Sequence, residues 1–500
     1  MRSFICTPKT ISFDMVSKGN FTLSSSQYKQ LVVRNKNLRL VSSFMTRGLD
    51  REDLGEEIGS VNYIGRSTHY FMRTKALQEH SFLPEMTKET LLPMNPRFFR
   101  QMHLQKGDLL LSKDSNIGEA VILERDYPNV MLSGAIYRLP VEDMKYYLLA
   151  FLKHPVFRQQ LDFLVPKGAT IRHAKTLFLD CLIPMPNTDA EATIEFVEKL
   201  LQAVIHKEAL IRMRHQRILE KIEAELTEHQ RDASFCYEFP RYKEVAEVGR
   251  LDTGVYTEYF KSSCHSIYNY AHGFATIDEL GFKLSRGQNL QVSSIGRSIY
   301  SETRYDNFYT LMLPKFLSPY GTVNVVEFLG NRNKLKTLKH GDLIFGAEGF
   351  EKGRSIVIVE DASRTITNIH GITIQQEEHD LVKGIFVKCF LDYLRSKKVI
   401  DLIAVGGNGG SLAQRYWRYI PFPRFPADKQ QEISLLYHNP KAVYDPSKCG
   451  LGDFLSYDDK FNETAGIYEL DKSAKLLKAK LNQTIENIID DIPVVPDFTL

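Results

Sequence analysis

His265 with His272, or His340 with His370, are the residues of this 500-residue chain best suited by type to hold a metal or act as a base. No GxSxG, HExxH or repeated carboxylate pair at catalytic spacing accompanies them, so they read as surface or core residues. Cys6, Cys181, Cys236, Cys264, Cys389 and Cys449 form no CxxC knuckle. Neither a zinc site nor a disulfide framework is expected, and the thiols read as reduced core residues. The stretch GGNGGSLAQ (Gly406 to Gln414) lacks the lysine of a phosphate-cradling loop, and Leu412 stands where a dinucleotide fingerprint needs glycine. Asn95-Pro96-Arg97-Phe98 falls one proline short of an Asn/Asp-Pro-Pro-aromatic motif. The expectation is a chain with no catalytic residue, no metal and no cofactor of its own.

What such a chain positions must then be a surface, and its elements say how many. Five hundred residues predict two to four domains. Apolar content of 43% and charged content of 25% are those of a soluble globular protein, and no run approaches the ~18 apolar residues of a membrane span. The first residues show no secretory signal, so the expected location is cytoplasmic. Lys plus Arg against Asp plus Glu gives 25 to 18 in residues 1–187, 7 to 10 in 188–232, 24 to 20 in 233–425 and 8 to 13 in 426–500. Two basic blocks alternate with two acidic ones, a pattern compatible with phosphate-binding faces.

The alternation reflects a repeat. Gly107-Asp108-Leu109 precedes Gly341-Asp342-Leu343 by 234 residues, Gly118 precedes Gly353 by 235, and Ile183 of LIPMP precedes Ile420 of YIPFP by 237. The tetrapeptide IGRS also recurs, at 64–67 and 295–298, an offset of 231. Four landmarks in one order predict a duplicated unit. Each Gly-Asp turn feeds a short apolar strand and a second strand follows a glycine-containing loop, the pattern of a hairpin. Helical periodicity comes next, broken at His154-Pro155 in the first copy. Each copy is therefore expected to be a mixed α/β domain, over 1–187 and 233–425.

Residues 188–232 contain no Gly or Pro and predict one long helix capped by Thr188 or Asp189. Ile194, Val197, Leu201, Val204, Ile211, Ile218 and Ile222 form a coiled-coil seam interrupted by Glu208 and His215. A second helical region, 426–500, breaks at Asn439-Pro440 and resumes near 466, where Ile467, Leu470, Leu477, Leu481 and Ile485 give a second seam. The two seams are expected to pair antiparallel and tie the domains together.

In this arrangement, with the segments KGDLLLS, YLLAFLKHPVFRQQL, LIPMP, HGDLIF and IPFPRFPADKQQEI, the chain resembles the specificity (S, HsdS) subunit of type I restriction-modification systems. The resemblance implies two tandem target-recognition domains separated and followed by long helices. It implies a non-catalytic reader of a bipartite double-stranded DNA target. It further implies partner methyltransferase (M) subunits, two of them, and a restriction (R) motor subunit, with S-adenosylmethionine, ATP and Mg bound by those partners. The interrupted C-terminal helix, and a first linker without the glutamine pair seen at Gln430-Gln431, depart from the family pattern.

Under that resemblance the DNA-contact candidates are the loops before the I-P-x-P strands and the two IGRS copies. They are Lys167, Thr170, Arg172, His173 and Lys175 in the first domain, and Ser411, Gln414, Arg415, Trp417 and Arg418 in the second, with Arg66, Ser67, Arg297 and Ser298. Arg and Lys neutralise phosphates or read guanine, and Gln reads adenine. Because IGRS recurs, its arginines are expected to hold phosphate at equivalent places. The competing readings are an acidic DNA mimic or other scaffold, which the basic domains disfavour, and a methyltransferase or nuclease of unfamiliar motif acting alone.

Overall fold

The computed structural model describes residues 2–18, 21, 28–165, 174–231, 234–349, 351–360, 364–406 and 409–500. They form two compact units, one of Met1–Ala209 with Val443–Glu463 and Lys472–Leu500, the other of Leu210–Ala442 with Thr464–Asp471. No helix among the described residues is long and apolar enough to cross a membrane.

The first unit contains strands β1 (Ile5–Cys6), β2 (Gln30–Leu31), β3 (Leu38–Leu40), β4 (Tyr70–Met72), β5 (Leu91–Pro93), β6 (Leu109–Ser112), β7 (Ala120–Ile122), β8 (Val130–Leu132), β9 (Ile136–Leu139) and β10 (Leu182–Pro184). Its early helices are α1 (Phe13–Lys18), α2 (Lys145–Lys153) and α3 (Pro155–Leu164). Two three-stranded sheets, ordered β5-β4-β8 and β7-β6-β9, carry the fold, while β3 pairs with β10. Strands β6, β7 and β8 are buried at every residue, which explains why their sequences read as continuous apolar runs rather than alternations. Proline at the start of α3 costs nothing there because its missing N–H lies in the uncapped first turn, and His154 Nδ1 accepts from Val156 N at 3.3 Å to close the cap. From α4 (Ala190–Glu228) onward the chain passes to the second unit.

The second unit contains α5 (Tyr242–Val248), α6 (Glu258–Tyr268), β11 (Phe274–Ala275), β12 (Phe282–Arg286), α7 (Val292–Ile295), β13 (Ser298–Ser301), β14 (Tyr309–Leu311), β15 (Glu327–Asn331), β16 (Leu343–Gly346), β17 (Ser355–Val357), β18 (Thr365–Ile366) and β19 (Gly371–Gln376). It continues with α8 (Leu381–Ser396), α9 (Val399–Ile403), β20 (Phe422–Pro423) and α10 (Ala427–Tyr437). Its sheets are ordered β13-β15-β14-β18 and β12-β19-β16-β17, with β11 paired to β20.

The second topology repeats the first with one strand added to each sheet. β14 lies antiparallel to β15 and parallel to β18, as β4 lies antiparallel to β5 and parallel to β8. β16 lies antiparallel to both β17 and β19, as β6 does to β7 and β9. The Gly-Asp turns match bond for bond. Gly107 N donates to Leu123 O at 2.8 Å and Gly341 N to Ile358 O at 2.9 Å. Asp108 accepts from Gln105 N at 2.8 Å and Asp342 from Lys339 N at 2.9 Å. Gly107 and Gly341 hold φ of 89° and 81°, where a side chain is strained, so these glycines survive as landmarks. Gly384 serves a different end: a Cβ there would stand 2.4 Å from Gly341 O, so its absence lets α8 seat against the turn.

The chain ends with α11 (Phe454–Thr464) and α12 (Ile467–Ile489). α4 and α12 run antiparallel, as their seams predict. In the first unit Phe196, Val197, Leu201 and Val204 share a core with Leu477, Leu481, Ile485 and Ile488, and Lys478 Nζ donates to Glu208 at 2.7 Å. Asn187, just before α4, reaches Asp491, just after α12, at 2.7 Å. In the second unit Glu469 acts electrostatically on Arg214. Ile211, Ile218, Ile222, Ile467 and Leu470 are buried, whereas Ile194 is only partly so. The polar interruptions are occupied: Glu208 also accepts from Phe82 N at 2.9 Å, and His215 Nε2 lies 3.1 Å from Asp392 in α8. α10 stops at Tyr437 as expected, but the stretch after it, read as a break, holds α11. The cysteines are all unpaired; Cys181, Cys264 and Cys389 are buried, while Cys6 and Cys236 are exposed and so are not core residues.

Candidate nucleic-acid interface

In the second unit the edge strand β13 exposes Ile299 and Tyr300 to 67% and 54%, side chains that point to opposite faces. An edge strand bare on both faces is a place for a partner. Its start is fastened by Asn331 at the end of β15. Asn331 Nδ2 donates to Ile295 O at 3.0 Å, to Ser298 Oγ at 2.8 Å and to Arg297 O at 3.5 Å, while its Oδ1 accepts from Asn333 N at 2.7 Å. Asn333 Nδ2 also donates to Ile295 O at 3.0 Å. These bonds hold Gly296 at φ 74°, ψ −170°, a conformation open essentially only to glycine. Arg297 and Arg332 flank this knot and are both exposed.

The corresponding edge of the first unit is a single bridge, Tyr63 to Met94, on the far side of β5 from β4. Tyr70 pairs with Pro93 as Tyr309 pairs with Leu329, an offset of 239 between the tyrosines and of 236 between their partners, so β5 and β15 correspond at 236. Tyr63 therefore answers Ile299, and IGRS at 64–67 lies five residues beyond the place of IGRS at 295–298. The expectation that the two tetrapeptides occupy equivalent positions is corrected by this register. Their conformations differ too: Gly65 is absent from the positive-φ glycines and has open space around it. Ser67 Oγ accepts from His69 N at 3.0 Å, a local turn, whereas Ser298 Oγ is tied across strands to Asn331. Arg66 and Arg297 are both exposed.

The residue that does recur at the register offset is Asn95, which answers Asn331. Its Oδ1 accepts from Arg97 N at 3.1 Å, the same turn Asn331 makes with Asn333. Exposed Val61 (88%) and Phe98 (51%) surround it. Residues 58–104 and 287–338 each carry six Lys and Arg against three Asp and Glu, so the copies differ there in the placement of charge rather than its amount.

The loops before the I-P-x-P strands return to matching points, Ala174 N donating to Lys113 O and Leu412 N to Ala347 O, both at 2.8 Å. Lys167, Thr170, Arg172 and His173 lie outside the described residues. Lys175 is exposed at φ 49°. Ser411 is half-buried and closes a small hairpin with Val405 beside Glu348, which is itself paired to Arg286 and His370 at 3.1 and 2.7 Å. Arg415 and Arg418 are exposed but lie over the rings of Tyr416 and Tyr419. Trp417 is a correction: at 1% exposure its indole packs edge-on to Phe345, 4.9 Å between centroids, and has no surface to offer DNA. Gln414 likewise turns its Nε2 into the interior.

No family model and no curated protein matches the chain. The type I restriction-modification S subunit of M. genitalium matches 92% of this chain and 96% of its own at 11% identity, with a TM-score of 0.41. The HsdS subunit of Thermoanaerobacter tengcongensis matches 91% and 98% at 11% identity, with a TM-score of 0.26. A chain from a structure of complex assembly and conformational transition in the type I R-M system matches 92% and 98% at 11%, with a TM-score of 0.27. Two of these three chains are named as S subunits. The match runs nearly end to end and transfers no residue roles.

His340 Nδ1 bonds Val359 O at 2.7 Å, and His370 bonds Glu348, so that pair does not converge. His265 packs on Phe235 and His272 on Tyr270, so the second pair does not converge either. Among the described residues His206, Asp458 and Asp459 come together as possible metal ligands, but Asp458 is already neutralised by Lys207 at 2.7 Å and accepts from Tyr444 at 2.7 Å.

Proposed function

We propose that this chain is the DNA sequence-specificity subunit of a type I restriction-modification complex, with one recognition domain for each half of a bipartite duplex target. The observation that supports this most directly is the duplicated topology with unlike residues at matched edges. Where the second copy sets Arg297 and Arg332 beside the Asn331 knot, the register offset sets Val61 and Pro96 beside Asn95. A repeated scaffold with divergent surface chemistry suits the reading of two different short sequences. The α4 and α12 pair suits the fixed separation such a target needs, since half-sites read from one face of B-DNA lie roughly 34 Å or a multiple apart.

In this reading the chain performs no chemistry. Methyltransferase subunits, two per complex, bring S-adenosylmethionine and take the target adenine out of the stack. A restriction subunit brings ATP, Mg and cleavage. Selection of duplexes from a random pool by the chain in complex with its methyltransferase subunits should enrich two short blocks at one separation. Enrichment of a single block, or of none, contradicts the reading, as does methyl transfer by the chain alone.

A further inference from the structure

The ladder of β13 and β15 ends at the pair Ser298–Asn331, and Arg297 and Arg332 are the next residues on either side of it. Like charges held beside one another at the end of a strand pair repel unless something neutralises them. Among the described residues nothing does. Arg297, Arg332, Lys334 and Lys336 are all exposed, and none of them forms a salt bridge among the described residues. The nearby acidic residues in sequence, Glu302 and Glu327, stand at the other ends of β13 and β15. Arg364 adds to the same field, its guanidinium 4.1 Å above the Tyr309 ring, whose hydroxyl donates to Asn333 O at 3.2 Å.

The arrangement is also built to last. Asn331 binds the backbone on both sides of Gly296, so the two arginines leave a fastened crossing rather than a loose loop. Two arginine forks leaving this one fastened point can take the oxygens of one phosphate between them, each guanidinium offering parallel N–H donors. Resting on the DNA-reading function proposed above, the geometry points to Arg297 and Arg332 as a two-pronged clamp on a single backbone phosphate. The clamp belongs to the second recognition domain alone, because Val61 and Pro96 stand at the matched positions of the first. It anchors the β13 edge, with Tyr300 and Ile299, against the duplex without reading a base itself.

The test measures DNA affinity against salt for the full chain in complex with its methyltransferase subunits, on a duplex carrying the methylated target. Arg297→Ala and Arg332→Ala each weaken binding several-fold and leave the selected sequence unchanged. The double variant lowers the slope of log affinity against log salt by about 1 in all, because one phosphate is shared. Arg297→Lys with Arg332→Lys keeps most of that slope, and Arg304→Ala, beyond the other end of β13, keeps all of it. A loss of about 2 in the double variant means two separate contacts and overturns the clamp. A changed base preference overturns the phosphate assignment, and unchanged affinity overturns both. If the wild-type complex selects no bipartite site, the specificity-subunit reading itself fails.

Discussion

Lys207 Nζ lies 2.7 Å from the Asp458 carboxylate, with both side chains shut away from solvent at 0% and 1% exposure. The pair joins α4 to α11, the helix inside the stretch that interrupts the C-terminal helical region. Asn462 accepts from Lys207 at 2.7 Å and donates to Asp458 at 2.8 Å, and the ammonium lies over the rings of Tyr444 and Phe461. Burial lowers Lys207 to about 8 against the pull of Asp458. Removing one partner strands a buried charge, so Asp458→Ala should destabilise the first unit by about 3–5 kcal/mol in urea unfolding. The paired change Lys207→Met with Asp458→Leu should recover most of that loss. Equal destabilisation by the single and paired variants would show that packing, not charge, sets the cost.

His154 gives a pH dependence of definite sign. Burial, with Arg2 nearby, lowers its pKa to about 4 from an ordinary 6.5, and its Nδ1 must stay unprotonated to accept from Val156 N. Its Nε2 faces Glu486 at 3.4 Å. Below pH 6.5 the unfolded chain takes up the proton first, so stability falls as pH falls from about 6.5 to about 4, by roughly 1.4 kcal/mol per unit. His154→Asn keeps an N-cap oxygen and removes the titration. The wild-type and variant stability curves should therefore diverge within that window and run parallel below it. Parallel curves throughout would show that His154 takes up its proton as readily in the folded protein as in the unfolded chain.

The two IGRS glycines should behave differently if the pairing register describes the copies correctly. Gly65→Ala meets open space and should change stability by less than about 0.5 kcal/mol. Gly296→Ala forces a side chain into the glycine-only conformation and should cost about 1–3 kcal/mol. Thermal unfolding of the two variants separates the cases. Equal costs would restore the tetrapeptides to equivalent places.

That contrast also shows what was legible in the letters. The Gly107 and Gly341 turns were, because a positive φ demands glycine and the following aspartate closes the same backbone bond in both copies. The seams of α4 and α12 were, because heptad spacing follows directly from helix geometry. IGRS misled because identity of letters says nothing about which edge of a strand they pair with. The match of Asn95 with Asn331 is the converse case: a single asparagine carries no such signal until β5 and β15 are aligned. Trp417 looked like a loop residue, yet Phe345 gives its ring a core position. α11 was hidden by the Gly- and Pro-rich residues before it; its anchor is an ion pair across more than two hundred residues of chain.

The most direct measurement is single-molecule mapping of methylated adenine across the host genome, with this gene intact and deleted. Two short sequences at one fixed separation should be methylated in the first genome and bare in the second. A variant with its second recognition domain replaced by that of a relative should keep the first block and change only the second. Methylation that survives the deletion, or a target without two blocks, would contradict the account.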